Sequence, residues 1–589
     1  MNSAKRNTMK PNLSLLLTLP LLLCACNSDL LETTEDPVED TSVSTMGEED
    51  FLVESDFNRT VTITWSGNSA SVEGDDDGFV SINGSQVLAD SRSDTTKVVK
   101  YILTGSSEDG SFKLYSLRKQ ALVLKGLDLH SSGAVINNQS HKRTFVILDG
   151  VNAMYDGSLL PSGDYSNATD GEDLKAAFFS EGQLVFSGTG SLSLVANGKA
   201  GITSDDYIRI ISAGMLSSVS YNGHALRGKD ALAIEDGSIV ASSFADGKKA
   251  ISSDGPVTIN GGELHLATYG GVLLETTESG TELSGAACIK SDGTFTMNGG
   301  EVEIGSTGQG GKGISGDGAA FFNGGTLSVT TTGANYGTSG QQGGGPGGNR
   351  PPGNRAGWGG SQDTSTDTST GAKGLKFDGD ITITGGIISV KSINSEAIES
   401  KGKLTATGGT VYAYSEGDDA INSGGDMNLN GGYVCGYSTG NDGIDANGNL
   451  NIDGATVYAV STKGNPEVAL DANSEGGKKL YLKSGTLIAV GGLESGASIT
   501  GTAYSASSWT KNQWHALYNQ NGEQVIAFKA PSSGSGLVVY SNGKSVTLHG
   551  KVSCSGKDTI WSDWGYLGST SDGSEISLNT YSGGGGMFR

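Results

Sequence analysis

The sequence predicts an all-β protein that folds as a parallel β-helix, a solenoid with about 23 residues per coil. The residues that open four successive units are each 23 apart: Lys373, Glu396, Asp419 and Asp442. Each unit contains short strands in which apolar and polar residues alternate, as in 381–384, separated by Gly, Asn or Asp. No unit carries a helical period, so a β-helix fits better than leucine-rich or tetratricopeptide repeats.

A second column of residues follows the same step. Three positions after the first column come Lys376, Glu399, Asn422, Asp445 and then Asp471. Coils of a β-helix stack about 4.8 Å apart, so equivalent residues of adjacent units are expected directly above one another. Sites are therefore expected down columns, built from residues that are distant in sequence.

The chain divides into four predicted parts. Residues 1–25 form a lipoprotein signal peptide, and 26–56, which are acidic and rich in Ser and Thr, form a disordered tether. Residues 57–495 form the β-helix, with irregular first coils and a low-complexity insertion at about 333–372. Residues 496–589, where the step fails and four of the six tryptophans lie, form a β-rich C-terminal cap or small domain.

The N-terminus has the features of an export signal. Lys5, Arg6 and Lys10 precede an apolar run over 13–23, and the Leu-Cys-Ala-Cys sequence that ends at Cys26 resembles a bacterial lipobox. We predict cleavage before Cys26, lipidation of Cys26, and a membrane-anchored lipoprotein at the outer membrane or cell surface. The alternative is a cleaved secretory signal without lipid.

Composition narrows the choice of partners. The net charge of −25 argues against nucleic acid or anionic lipid as the main partner and favours bound cations. The 93 glycines and only 10 prolines suit many tight corners better than wholesale disorder. After the signal, Cys288, Cys435 and Cys554 remain, an odd number, and the first two are expected to be buried thiols.

Acidic residues concentrate where the two columns end. Two carboxylates about 4.8 Å apart repel each other by roughly 3.5 kcal/mol at an effective dielectric of 20, so a compensating charge is required. Near Lys376 and Glu399 a structural salt ladder is expected. The acidic end has no adjacent cation in the columns, and calcium is the predicted cofactor, against the alternative of solvated acidic turns. The predicted calcium ligands are Asp418, Asp419, Asp442 and Asp445.

Tyrosines form another pair of columns. Tyr412 aligns with Tyr458, and Tyr414 aligns with Tyr437, with small residues between them. Strand alternation places these rings on one outward face, which predicts a flat aromatic strip that stacks on sugar rings. The alternative is that they only strengthen packing between strands.

Several segments resemble a family of exported bacterial proteins labelled carbohydrate-binding domain-containing, typified by a cellulosome-associated clostridial protein. The resemblance rests on 176–210, 226–237, 249–262, 416–422 and the glycine-rich insertion. It implies a right-handed parallel β-helix that holds calcium, is related in shape to polysaccharide lyases, and binds cellulose or acidic plant polysaccharide. The resemblance also supports a second calcium candidate, Asp205 and Asp206 with Asp230 of the next coil, and a third at Asp254.

The predicted function is therefore non-catalytic. The chain is expected to be a calcium-stabilised, polysaccharide-binding surface lipoprotein for acidic or plant-type glycans. One alternative is a calcium-dependent polysaccharide lyase, in which a lysine removes the proton beside a uronate carboxylate. The lysines available near corners are Lys199, Lys229, Lys290, Lys312, Lys373 and Lys376. Another alternative is an adhesin-like structural surface protein.

Overall fold

The structure is a computed structural model that describes residues 48–157, 172, 174–277, 280–337, 370–506 and 508–583. The predicted signal peptide, Cys26, most of the tether and the centre of the low-complexity insertion lie outside the described residues. Within those ranges, none of the helices has the length and apolar character needed to cross a membrane.

The described chain is all-β apart from two short 3₁₀ turns, Glu48–Asp50 and Glu54–Asp56. One sheet of 15 strands, here called the charged sheet, is parallel from its second strand onward. Its strands, in order, are Val80–Asn83, Gln86–Asp90, Ser111–Tyr115, Ile136–Asn138, Ala176–Ser180, Ala200–Ser204, Leu226–Gly228, Lys249–Ser253, Ala287–Ser291, Lys312–Gly316, Leu375–Phe377, Ile398–Ser400, Ile421–Ser423, Ile444–Ala446 and Leu470–Ala472.

A second sheet of 30 strands contains two further parallel ladders, joined through long strands that take part in both. Its strands are Arg59–Ser66, Ser69–Glu73, Val99–Ser107, Gln120–Ser131, Thr144–Asp149, Val151–Asp156, Leu184–Gly188, Ser191–Ala196, Tyr207–Ile210, Met215–Ser220, Ala231–Ile234, Ser238–Ser243, Val257–Ile259, Glu263–Thr268, Phe295–Met297, Glu301–Ser306, Ala320–Phe322, Thr326–Thr331, Ile381–Ile383, Ile387–Ser392, Leu404–Ala406, Thr410–Ser415, Met427–Leu429, Tyr433–Ser438, Leu450–Ser461, Leu480–Val490, Ser498–Ile499, Tyr504–Ala506, Leu537–Ser541 and Leu578–Thr580.

Most strands pair in parallel with the equivalent strand one unit later, a pattern compatible with a solenoid. In the charged sheet, Leu375 pairs with Ile398, then Ile421 and Ile444, at the predicted step of 23. These side chains are buried in one hydrophobic core that extends along the stack. The all-β, parallel character predicted from the repeat is confirmed, whereas the right-handed winding stays a prediction.

The recurrent glycine pairs occupy corners that require glycine. Gly432 has a φ of 75°, in the left-handed region that most residues avoid. A Cβ atom added there would lie 2.6 Å from the backbone carbonyl oxygen of Gly408, in the preceding coil. Close stacking of backbone on backbone explains why glycine recurs at this corner.

The parallel stack ends where the chain changes direction. The strand Leu480–Val490 pairs on one side with Leu450–Ser461 in parallel and on the other with Leu537–Ser541 antiparallel. Beyond this strand lies a six-stranded antiparallel sheet. A separate two-stranded hairpin is inserted between two coils nearer the N-terminus. The sheet consists of Trp514–Tyr518, Gln524–Lys529, Thr547–Cys554, Thr559–Ile560, Gly565–Tyr566 and Thr570–Ile576, and the hairpin of Val272–Thr277 and Gly280–Gly285.

The end of the predicted tether is packed against the coils, which corrects the prediction of disorder for 48–56. Asp50 is 3% exposed, and its carboxylate accepts a hydrogen bond from the Tyr207 hydroxyl at 2.7 Å. It also forms ion pairs with Arg143 and Arg209, both buried. The ring of Phe57 packs edge-on against Phe145. Segment 48–57, here called the N-terminal strap, is therefore held by buried polar and apolar contacts together.

Candidate functional site: a charged face on the parallel sheet

One column on the outer face of the charged sheet changes from basic to acidic along the stack. Each residue pairs with the next in the adjacent coil. The column contains Thr203, Arg227, Ser252, Lys290, Ser315, Lys376, Glu399, Asn422, Asp445 and Asp471. Its second half is the column predicted from the sequence, and that register is confirmed.

The acidic end, here called the acidic ladder, brings together Asp418, Asp419, Asp442, Asp445 and Asp471. Asp419 and Asp442 lie in adjacent coils and are only 4% and 7% exposed. The amide of Asn422 donates to Asp419 at 2.9 Å and to Asp445 at 3.1 Å. The backbone N–H of Val468 donates to Asp442. The donors to these carboxylates within the described residues are therefore neutral.

Burial raises the pKa of each carboxyl in the acidic ladder. It raises the pKa of Asp419 to about 8, that of Asp442 to about 7 and that of Asp445 to about 6. The pKa values of Asp418 and Asp471 are also raised, first by burial and then by neighbouring acidic groups. Removing these groups from water disfavours their charged forms, and each negative neighbour adds to that cost.

The acidic ladder meets several requirements of a calcium site. Calcium binds six to eight oxygen atoms, mostly from carboxylates, amides and backbone carbonyls. Among the described residues, the carboxylates of the ladder form no ion pair, although Lys373 lies near Asp418, and Oδ1 of Asp471 is buried without a hydrogen-bond partner. However, in the part of the chain that the structure describes, no three His, Cys, Asp or Glu side chains converge on one point for a metal ion. A bound ion would therefore also need amide or backbone oxygens, such as those of Asn422.

At the centre of the face, opposite charges pair. Lys373 contacts Glu396 at 2.9 Å and Glu399 at 2.5 Å, and Lys401 also pairs with Glu399. Adjacent opposite charges do form a salt ladder, as predicted. The predicted pairing of Lys376 with Glu399 is wrong, because Lys376 pairs with Asp378 of its own strand end at 2.5 Å.

The other predicted calcium ligands have different surroundings. The backbone N–H of Asp230 donates to the carbonyl oxygen of Asp206, so these two residues lie in adjacent coils as expected. Asp205 forms an ion pair with Lys175 at 2.6 Å. Asp254 forms one with Arg227 at 2.7 Å. Because Asp205 and Asp254 are paired with cations of the protein, less negative charge is left there for calcium to compensate than at the acidic ladder.

The prediction of an exposed tyrosine strip is wrong for three of its four residues, and the fourth, Tyr414, is partly exposed. The columns exist as predicted, because Tyr414 pairs with Tyr437, and Tyr412 and Tyr458 both pair with Cys435. However, Tyr412, Tyr437 and Tyr458 are at most 8% exposed. The residues that cover them come from the C-terminal segment, including Phe528, Trp561 and Trp564. The rings therefore serve as the buried surface to which that segment attaches.

The exposed aromatic stack lies elsewhere and was missed. Tyr221, Phe244 and Tyr269 follow three successive strands at one corner, with ring centroids 4.9 and 4.4 Å apart and nearly parallel planes. Each is 40–49% exposed. Their steps of 23 and 25 in the sequence are the signal that could have identified them.

Two clefts lie on the charged face. The first, here called the basic cleft, has a volume of about 320 Å³. It is lined by Lys175, Arg227, Lys249, Lys290, Asp254 and Asp292, with Thr203, His224, Ala200 and Ser252. The second, of about 420 Å³, is lined by Lys312, Lys373 and Asp418 among others, and so extends from the basic part of the face to the acidic ladder. The sequence did not reveal the basic cleft, because an insertion of variable length interrupts the step between its coils.

Comparison with known proteins identifies the family. The model of the carbohydrate-binding domain-containing protein family matches residues 89–272, 244–335 and 288–420, which together span more than half of the chain. No curated protein matches. A solved structure of the polysaccharide lyase-like protein from C. thermocellum, a gadolinium derivative, is similar at 17% identity with a TM-score of 0.35, over 44% of this chain and 96% of that one. The chain belongs to the carbohydrate-binding domain-containing protein family.

Proposed function

We propose that this protein is a non-catalytic polysaccharide-binding protein, and that the glycan lies along the outer face of the charged sheet. Family membership supports carbohydrate binding. Two neighbouring clefts on one face suit an extended polymer, which can follow the stacking direction of the strands.

Calcium is the proposed cofactor, and one observation carries this proposal. Asp419 and Asp442 are buried one above the other. Within the described residues, the groups that donate hydrogen bonds to their carboxylates are an amide side chain and backbone N–H groups, all neutral. An ion at the acidic ladder would neutralise these charges, with Asp418, Asp419, Asp442 and Asp445 as carboxylate ligands. When bound, the ion would supply a positive centre that an acidic sugar can also coordinate.

Acidic glycan is the preferred ligand class. A chain of net charge −25 repels a polyanion, so binding requires local positive charge. Lysines and arginine at one end of the charged face and calcium at the other would provide it. The right-handed winding, and the placement of Asp205, Asp206, Asp230 and Asp254 at further calcium sites, are part of the same proposal and rest on the resemblance.

We further propose that the protein is exported and anchored by lipid on Cys26, at the outer membrane or cell surface. The lipobox-like sequence supports this. Metabolic labelling with palmitate, compared between the wild type and Cys26→Ala, tests it. Label should appear on the wild type alone, and a wild type without label would contradict the anchor.

A glycan array, read with calcium and again after its removal, tests the proposed function. Retention of uronate-containing glycans that weakens when calcium is removed supports it. Calorimetric titration of the calcium-free protein should show calcium uptake, and a variant with both Asp419→Asn and Asp442→Asn should lose the part of that uptake that belongs to the acidic ladder. A wild-type protein that retains no glycan in either condition would contradict polysaccharide binding.

A calcium-dependent polysaccharide lyase is the second candidate, and Lys312 favours it. This lysine is 9% exposed, and burial lowers its pKa to about 8, so a neutral amine is available as a base near neutral pH. It lines the cleft that reaches Asp418. Incubation with polygalacturonate, followed by ultraviolet absorbance for unsaturated product, distinguishes the lyase from a binding protein.

A further inference from the structure

The basic cleft contains a lysine whose contacts differ from those of its neighbours. Lys175, Arg227 and Lys290 each form an ion pair with an aspartate. Lys249 instead donates to the carbonyl oxygen of Gly247 at 2.6 Å and to the hydroxyl of Ser284 at 2.9 Å. Among the described residues, no carboxylate lies within ion-pair distance of it. The hydrogen-bond acceptors of its ammonium group are therefore neutral.

Two further groups in the cleft are suited to donate hydrogen bonds to a ligand. Thr203 is 1% exposed, and its buried hydroxyl has no hydrogen-bond partner within the described residues. His224 accepts the backbone N–H of Lys249 through Nδ1. Burial lowers the pKa of His224, so its ring is neutral, and the single proton then lies on Nε2. A buried hydroxyl without a partner costs free energy, which a bound ligand would recover.

The charges around the cleft favour an anion. Four cationic side chains line it, and three of them are paired: Lys175 with Asp205, Arg227 with Asp254, and Lys290 with both Asp292 and Asp317. Lys249 is therefore the cation that remains for a ligand, in a chain of net charge −25. A ligand that accepts hydrogen bonds and carries negative charge, such as a carboxylate or a sulfate ester, matches this set of donors.

The position of the cleft also matters. The exposed stack of Tyr221, Phe244 and Tyr269 lies at the corner that precedes the strands Leu226–Gly228 and Lys249–Ser253, and His224 lies just before the first of these strands. Aromatic rings offer an apolar surface to the C–H faces of a sugar. A ligand that joins an anionic group to a sugar ring therefore fits the cleft and the adjacent aromatic stack better than a free inorganic ion does.

We propose that the basic cleft is an oxyanion subsite that binds the carboxylate or sulfate group of an acidic sugar directly, through Lys249, Thr203 and His224, without a bridging metal. This rests on the proposed function, in which the charged face binds polysaccharide. It goes beyond that function by separating a direct anion contact at the basic end from the calcium contact proposed at the acidic ladder.

The test is calorimetric titration of the full-length protein with three probes: trigalacturonate, a sulfated maltotriose and neutral maltotriose. Calcium is removed beforehand with a chelating resin, because a soluble chelator is itself a polycarboxylate that would compete for the cleft. We expect at least one anionic probe to bind without calcium and the neutral probe not to bind. The preference between the two anionic probes identifies the source of the oxyanion.

Variants then locate the contact. Lys249→Met should weaken binding of the anionic probe at least tenfold, and Thr203→Val, which keeps the shape but removes the hydroxyl, should weaken it severalfold. Lys544→Met, at an exposed position in the C-terminal segment, is the control with the same change of charge and should bind as the wild type does. Calcium uptake should be unchanged in all three variants.

The outcomes separate the two proposals. Anionic probes that bind only after calcium is restored overturn the oxyanion subsite and leave the proposed function in place. Equal affinity of Lys249→Met and the wild type also overturns the subsite. The absence of glycan binding both with and without calcium contradicts the proposed function itself. Thermal unfolding of each variant confirms that lost binding is not lost folding.

Discussion

The backbone N–H of Asp442 donates a hydrogen bond to Oδ1 of Asp419, one coil earlier, at 3.0 Å. This bond fixes two buried carboxylates in adjacent coils, although burial raises the pKa of both and Asp442 raises that of Asp419 further. A protein would not gain stability from such an arrangement alone. This contact is the observation on which the calcium proposed for the acidic ladder rests.

Calcium should stabilise the protein through this contact. Because calcium binds the folded state, a concentration one hundred times the Kd should raise the free energy of unfolding by about 2.7 kcal/mol. The increase should be clearly smaller in a variant with both Asp419→Asn and Asp442→Asn. Thermal unfolding with and without calcium measures it. Asp149→Asn, at an exposed position, is the control and should keep the full response.

Stability should depend on pH through two lysines. Burial lowers the pKa values of Lys249 and Lys312 to about 8, against an ordinary value of 10.5. Between these pH values the two lysines hold more protons in the unfolded chain than in the folded one, so their contribution to the free energy of unfolding should rise with pH. Below pH 8 both states are protonated, and the folded state carries the full cost of the buried charges.

Urea unfolding near pH 8 and near pH 10.5 measures this effect. Lys249→Met should be more stable than the wild type near pH 8, and the difference should shrink near pH 10.5. Lys544→Met should show no such change. A Lys249→Met variant that is less stable at both pH values would mean that the lysine is a structural contact rather than a group maintained for binding.

Replacing the buried tyrosines should reduce stability and leave glycan binding intact. Tyr458 is fully buried, and its hydroxyl donates to the carbonyl oxygen of Lys529 at 2.8 Å. Tyr458→Phe should cost about 1 kcal/mol through the lost hydrogen bond, and Tyr458→Ala about 3–5 kcal/mol through the cavity. Denaturant unfolding and glycan retention of the folded protein check both. A Tyr458 variant that keeps wild-type stability but no longer retains glycan would show that the tyrosine column does have a binding role.

The N-terminal strap should depend on Asp50. Asp50→Ala removes the buried carboxylate that Arg143 and Arg209 share, which leaves them the longer contacts with Glu49 and Glu235 and should cost about 3–5 kcal/mol. Asp56→Ala, which removes a more exposed pair with Lys119, is the matched control and should cost at most about 1 kcal/mol. Limited proteolysis should cut the strap faster only in Asp50→Ala. Equal cleavage of the two variants would contradict the buried contact.

Much of the acidic ladder could be predicted from the sequence. A constant step of 23 places Glu399, Asn422 and Asp445 in one column, and a parallel sheet pairs them in that register. The residues of the ladder therefore come from consecutive units of the repeat, and their alignment can be read from the spacing. The basic cleft could not be predicted in this way, because the step from Ser252 to Lys290 is 38 residues and contains a hairpin. An insertion at a corner changes the spacing without changing the register.

The sequence by itself determined the strands, the parallel register and the columns. These follow from a short repeat, because each unit of the repeat packs against the units that come directly before and after it in the sequence. Only the tertiary structure decided which faces remain open. The tyrosine column points outward, but Trp561 and Trp564 of the C-terminal segment cover it. The strap pairs Asp50 with Arg209, which is 159 residues away. No repeat encodes such distant contacts, because they depend on where non-repeating segments pack against the stack.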